Sequence, residues 1–90
     1  PRAVLALQGP DAVDFLDKLI TNDLGRLRPD APIYAGLLTP QGKVVADMLI
    51  WAAPEGGLLL ETDPARGGDL LRRLTMFKLR ANVRIDDVSA

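Results

Sequence analysis

Asp47 stands in the run Val44–Trp51 (VVADMLIW), where every other side chain is apolar, and a single carboxylate in such a run is a candidate for chemistry. Strand side chains alternate between faces, so Asp47 shares its face with Val45, Leu49 and Trp51. An ionised carboxylate on a buried face costs several kcal/mol unless something satisfies it. A ligand presenting N–H donors would do so; the plain alternatives are a water-facing strand position or a nearby arginine such as Arg80 or Arg84. Tyr34, Leu49 and Trp51 complete the candidate set. They read either as aromatic and apolar wall around that carboxylate or as core and domain-interface side chains.

Other chemistry is excluded or stays bland. With no Cys and no His, the chain cannot build a disulfide, a thiolate or imidazole metal site, or a Ser/His or Cys/His catalytic pair from its own residues. Asp86 and Asp87 are adjacent on a strand-like run and so face opposite ways, which argues against a metal pair. Gln8-Gly9-Pro10 places a glycine before a helix start, yet no longer glycine-rich loop with a Lys and Ser or Thr follows, so a turn is the reading. The basic set Arg66, Arg72, Arg73, Lys78, Arg80 and Arg84 could meet an anionic tail or RNA, but helix-surface solvation accounts for the first three. No catalytic residue and no metal ligand are assigned.

The elements that must position Asp47 are legible. Ala3–Leu7 reads as a buried strand, followed by a helix in which Ala12, Phe15, Leu16, Leu19 and Ile20 form one apolar stripe and Thr21-Asn22-Asp23 the end. Gly25–Pro32 reads as a surface loop. Residues 33–39 and 43–53 form a hairpin about Pro40-Gln41-Gly42. A second turn at Pro54–Gly57 leads to a strand over Leu58–Thr62, and Asp63-Pro64 caps a second helix with Leu70, Leu71, Leu74 and Phe77 as its stripe. Gly67-Gly68 weakens the first turn of that helix. Asn82–Val88 is the last strand. The order β-α-β-β-β-α-β predicts an α+β fold, an antiparallel sheet with two helices packed on one face, related to the ferredoxin-like plan. The other sheet face would then carry Tyr34, Leu49, Trp51 and Asp47 toward solvent, another domain or a ligand.

Composition bounds the rest. Ninety residues make a single small domain, and eleven Lys and Arg against twelve Asp and Glu give no bulk electrostatic case for nucleic acid or an anionic membrane. A chain opening at Pro1 and closing on a strand-like acidic run is expected to be one domain of something larger. No apolar run reaches the roughly 20 residues of a membrane span, and a soluble, cytoplasmic protein is the expectation.

Three stretches, LQGPDAVDFLDKLITNDL, LLTPQGKVVADMLIW and LLLETDPARGGDLLRRLTMFKLRANVRI, in that order resemble the first part of the YgfZ/GcvT-type folate-binding family over nearly the whole chain. The hairpin is similar to the T-x-x-G-K-x-x-x-D pattern of the YgfZ branch, which includes the iron-sulfur cluster assembly factor. The aminomethyltransferases of glycine cleavage typically show a Gly-Gly turn and paired Asp; here Lys43 and Ala46 stand at those places, and LLLETD lacks a nearby Asn. The resemblance implies that Asp47 hydrogen-bonds the pterin of tetrahydrofolate and that Tyr34, Leu49 and Trp51 line the same cavity, in the central channel of a multidomain ring. It further implies that residues 1–90 are the N-terminal portion of such a protein. Its partners would be folate, the remaining domains of the chain and iron-sulfur clients, with no turnover of its own. The alternatives are a folate-dependent aminomethyltransferase and a non-catalytic interaction domain. The branch signature K-G-C-Y-x-G-Q-E does not occur in this stretch.

Overall fold

The computed structural model describes residues 2–89. Strands β1 (Ala3–Gln8), β2 (Ile33–Leu38), β3 (Val44–Ala52), β4 (Leu58–Thr62) and β5 (Arg84–Asp87) are joined by helices α1 (Ala12–Asp17) and α2 (Pro64–Phe77), with a short 3-10 turn at Leu24–Arg26. All pairings are antiparallel, and the sheet order is β2-β3-β4-β1-β5. The expected α+β plan therefore holds, with β1 carried into the sheet between β4 and β5.

Strand alternation decides which side is the core. On β3 the buried residues are Ala46, Met48 and Ile50, on β4 Leu58 and Leu60, on β1 Leu5 and Leu7, and on β2 Ala35 and Leu37. These meet Ala12, Phe15 and Leu16 of α1 and Leu70 and Leu74 of α2 in one cluster, so both helices cover a single sheet face. Asp63 caps α2 by accepting from the Ala65 amide at 2.8 Å, with Pro64 at the first helical position, where a missing N–H costs nothing.

The chain departs from the sequence reading at α1, which stops at Asp17 instead of running to Ile20. The backbone beyond it is drawn onto the outer edge of β2: Leu38 N donates to Leu19 O, Thr21 N to Gly36 O, Gly36 N to Thr21 Oγ1 and Asn22 Nδ2 to Tyr34 O. Those four bonds satisfy edge groups that a longer helix would have left open. Just before the expected loop, Asp23 accepts from Gly25 N and starts the 3-10 turn.

Gly67 and Gly68, equivalent as helix-weakeners by sequence, differ in the fold. A Cβ on Gly67 would lie 2.6 Å from Ala3 Cβ, whereas one on Gly68 would meet nothing within 4 Å. Glycine at 67 lets α2 lie directly on β1. Gly68→Ala is expected to stabilise the domain by about 0.5–1 kcal/mol. Gly67→Ala is expected to destabilise it by about 1–2 kcal/mol, because overpacking outweighs the helix gain. Thermal unfolding followed by circular dichroism checks the opposite signs.

Candidate functional site

The uncovered sheet face carries the side chains that alternate away from the helices. Val45, Asp47, Leu49 and Trp51 project there from β3, with Tyr34 from β2, Leu59 and Glu61 from β4, and Val4 and Ala6 from β1. All four candidate residues thus share one face, as the strand period requires.

Asp47 itself is exposed, the water-facing strand position that the sequence offers as a plain alternative. The reason is register. Leu49 pairs with Glu61 on β4, and β4 ends at Thr62, so Asp47 lies just past the last β3–β4 pair, where the chain turns into α2. Buried Thr62 fixes this corner by donating from Oγ1 to the Asp47 carbonyl at 2.7 Å.

On the other flank Asp47 stands opposite Gly36, and Tyr34 opposite Leu49. With no side chain at Gly36, the Tyr34 ring reaches diagonally and its hydroxyl donates to Asp47 Oδ2 at 2.5 Å, the length of a charge-assisted O–H···O⁻ bond. Neither suggested arginine serves Asp47 among the described residues. Arg84 lies on β5 at the far edge of the sheet, bonded to Asp86 and Gln8, and Arg80 takes part in no ion pair with a described residue.

Tyr34, Val44, Val45, Ala46, Asp47 and Arg66 line a shallow depression of about 280 Å³. Leu49 and Trp51 lie outside it. Trp51 is four residues along the strand, roughly 13 Å away. Its indole Nε1 donates to Glu61 Oε1 at 3.0 Å, while Glu61 Oε2 meets Arg2 Nε at 3.4 Å. Arg66, by sequence one of the helix-surface arginines, joins Asp47 in this depression. Counting the β3–β4 register back from the Pro54–Gly57 turn, with Asp63 as helix cap, would have placed the first turn of α2 beside Asp47. The larger hollow of about 460 Å³ sits on the helix side by Lys18, Leu19 and Phe77, away from this carboxylate.

The hydrogen bond to Asp47 is the main cause holding the Tyr34 phenol above its ordinary pKa, with desolvation and the carboxylate's charge adding in the same direction. A raised acid pKa means this contribution to stability is complete below the unfolded phenol value of about 10 and is lost as pH rises through the folded value. Tyr34 is the single tyrosine of the chain, so phenolate absorbance during alkaline titration reads it directly. The expected result is a midpoint above that of a free tyrosine, falling back in Asp47→Asn.

The family described as GCVT N-terminal domain matches residues 3–90. A mitochondrial iron-sulfur cluster assembly factor IBA57 homolog from Phaeosphaeria nodorum is 34% identical over 96 residues, covering 99% of this chain and 23% of the relative. An aminomethyltransferase from Moorella thermoacetica is 41% identical over 56 residues, covering 62% of this chain and 15% of the relative. Among solved structures, the glycine cleavage system aminomethyltransferase T from Bartonella henselae superposes with a TM-score of 0.85 at 18% identity, over 97% of this chain and 24% of that one. The chain thus spans about a quarter or less of the length of these relatives.

Proposed function

From the premise that this chain belongs to the GCVT N-terminal domain family, we propose that it forms one wall of a tetrahydrofolate site in a larger protein that supports iron-sulfur cluster assembly. The observation that carries the reading is Asp47: an exposed carboxylate on the uncovered sheet face, with one oxygen held by Tyr34 and the other free of protein partners among the described residues. A carboxylate has about four lone-pair positions, so it can keep the tyrosine and still accept two parallel N–H bonds from an amino-pyrimidinone ring. The residues therefore fit the group. Asp47 would hold the pterin edge, Tyr34 would fix the carboxylate and flank the ring, and Leu49 and Trp51 would extend the apolar wall. When bound, folate supplies one-carbon chemistry; the part of this chain is to bind and orient it.

The apolar side chains Val4, Ala6, Leu49, Trp51 and Leu59 on the same face suit cover by further domains, in keeping with the quarter-length match to the relatives. The name of the Phaeosphaeria relative supports the assembly role, with iron-sulfur proteins as partners. An aminomethyltransferase is the second reading, favoured by the Moorella match. The paired-Asp pattern speaks against it here, because position 46 is Ala and its side chain is buried under the helices, away from Asp47.

The test is a two-dimensional NMR titration of the chain with tetrahydrofolate, following the amide signals of Tyr34 and Asp47 and the single indole N–H, that of Trp51. Saturable shifts at millimolar affinity are expected, since one wall of an interdomain site binds weakly. Absence of saturation overturns the folate reading, and micromolar binding overturns the interdomain one. Robust turnover of an aminomethylated lipoyl carrier protein, passing its one-carbon unit to tetrahydrofolate with release of ammonia, would favour the second reading.

A further inference from the structure

On the opposite side of the sheet from Asp47, three adjoining hollows of about 390, 460 and 340 Å³ follow the seam between α1, α2 and the tip of the β2–β3 hairpin. Phe77 walls all three, with Leu19 between the first two and Met76 beside the third. The result is a groove with an apolar floor. Its cations are Lys18, Lys78, Arg72 and Arg73. Arg72 and Arg73 share Asp69, whereas Lys18 and Lys78 form no ion pair among the described residues. Residues 72–80 hold four basic side chains and no acid, a charge of +4 in a chain whose total is −1, so the remainder carries −5. Positive charge is gathered here.

Just past Lys78, Leu79 breaks two local rules. It takes a left-handed φ of 38°, at the place after a helix where glycine is the usual residue, and its side chain is 87% exposed. A leucine both strained and wet points to a contact that covers it.

We propose that this groove docks an amphipathic helical segment of a separate partner protein. Its apolar side chains would seat in the hollows around Phe77 and over Leu79, and its Asp or Glu side chains would meet Lys18, Lys78 and the Arg72–Arg73 pair. The inference goes beyond the folate reading, since the groove and Asp47 lie on opposite faces. Nucleic acid and an anionic bilayer are both opposed by Asp11 and Asp14, which line the same groove on its α1 side. A short segment can place its acids against the cations alone. Further domains are proposed to cover the sheet face, which leaves the helix side open to another molecule.

The probe is a synthetic peptide of about five helical turns, with leucine along one face and glutamate on both flanks, beside the same peptide with lysine for glutamate. The readout is the methyl signal of Met76 in methionine-labelled protein. Met48, 1% exposed in the core, and the Trp51 indole N–H on the sheet face serve as internal controls. The glutamate peptide should shift Met76 saturably, leave Met48 and Trp51 unmoved, and bind at least about tenfold more tightly than the lysine peptide. Lys18→Glu combined with Lys78→Glu should erase that preference. Leu79→Gly should weaken binding about threefold to fivefold while the unfolding temperature stays level or rises, because glycine relieves the backbone. A leucine serving only the fold would lower that temperature and leave binding alone, which overturns its part in docking. Equal affinity for the two peptides overturns the proposal, as does a shift at Trp51 in place of Met76. Met76 shifts on dilution of the chain alone would give the groove to a second copy, and shifts with phosphatidylserine vesicles but not with peptide would give it to a membrane. Loss of peptide binding when the domain sits in its longer protein would give it to a sister domain. Each of these three overturns the separate partner.

Discussion

Asp47→Asn is expected to remove measurable tetrahydrofolate binding while leaving the fold in place. Asparagine keeps the shape of the side chain but loses the charge, and it replaces one of two acceptor oxygens with an NH₂ group. Against a ring edge that presents two N–H donors, one of the two contacts turns from charge-assisted attraction into a donor facing a donor. Such a change costs about 2 kcal/mol, roughly 30-fold in affinity, which takes a millimolar interaction beyond detection. Stability should fall only slightly, because the Tyr34 bond that weakens is solvent-exposed. The Thr62 bond that fixes this corner goes to the Asp47 main-chain carbonyl, which the substitution leaves alone, and the side chain is exposed. The NMR titration, run beside thermal unfolding of the same sample, checks both halves. Loss of binding with at most a small fall in unfolding temperature is the expected result, and undiminished binding would remove Asp47 from the site.

Leu60→Ala is expected to have the largest effect on stability of any single truncation on β4. Leu60 is fully buried at the centre of the sheet, paired with Ile50 on β3 and Leu5 on β1, both also fully buried. Its side chain points into the cluster beneath α1 and α2. Truncation removes apolar contact and leaves a cavity with little means of collapse between paired strands, at a cost of about 3–5 kcal/mol. For a domain of this size that corresponds to a fall of at least about 12 °C in unfolding temperature. Leu59→Ala, one residue away on the uncovered face, should cost about 1 kcal/mol or less, because that side chain is only half-buried. Urea unfolding of the two variants reads the two faces of the sheet from adjacent residues. Equal losses would contradict the assignment of the core to the helix side.

The extent to which the sequence revealed the fold follows from where local rules govern. The hairpin about Pro40-Gln41-Gly42 and the Asp63-Pro64 helix start were legible because turn and cap chemistry act within a few residues, and Gly42 does take the positive φ that the turn needs. The face shared by Asp47, Leu49 and Trp51 was legible from the strand period alone. The length of α1 was not, since the competing bonds come from β2, far along the chain. The open space beside Asp47 was not legible for a similar reason: it arises because β4 ends at Thr62, which strand alternation within β3 does not reveal. Arg66 escaped notice because helix-surface arginines are common, and only sheet register brings this one to the carboxylate. The glycine at position 67 looked like a weakness until its contact with Ala3 was seen.

The outer edge of β2 is closed by the backbone and side chains of residues 19–22, and the opposite edge strand, β5, is only four residues long, with charges at Arg84, Asp86 and Asp87. Neither border offers a long, flat row of unsatisfied amides and carbonyls to a neighbouring molecule. The bare hydrophobic side of the sheet can therefore stay uncovered without seeding fibres through strand addition. Association through that side is left to side-chain contact alone.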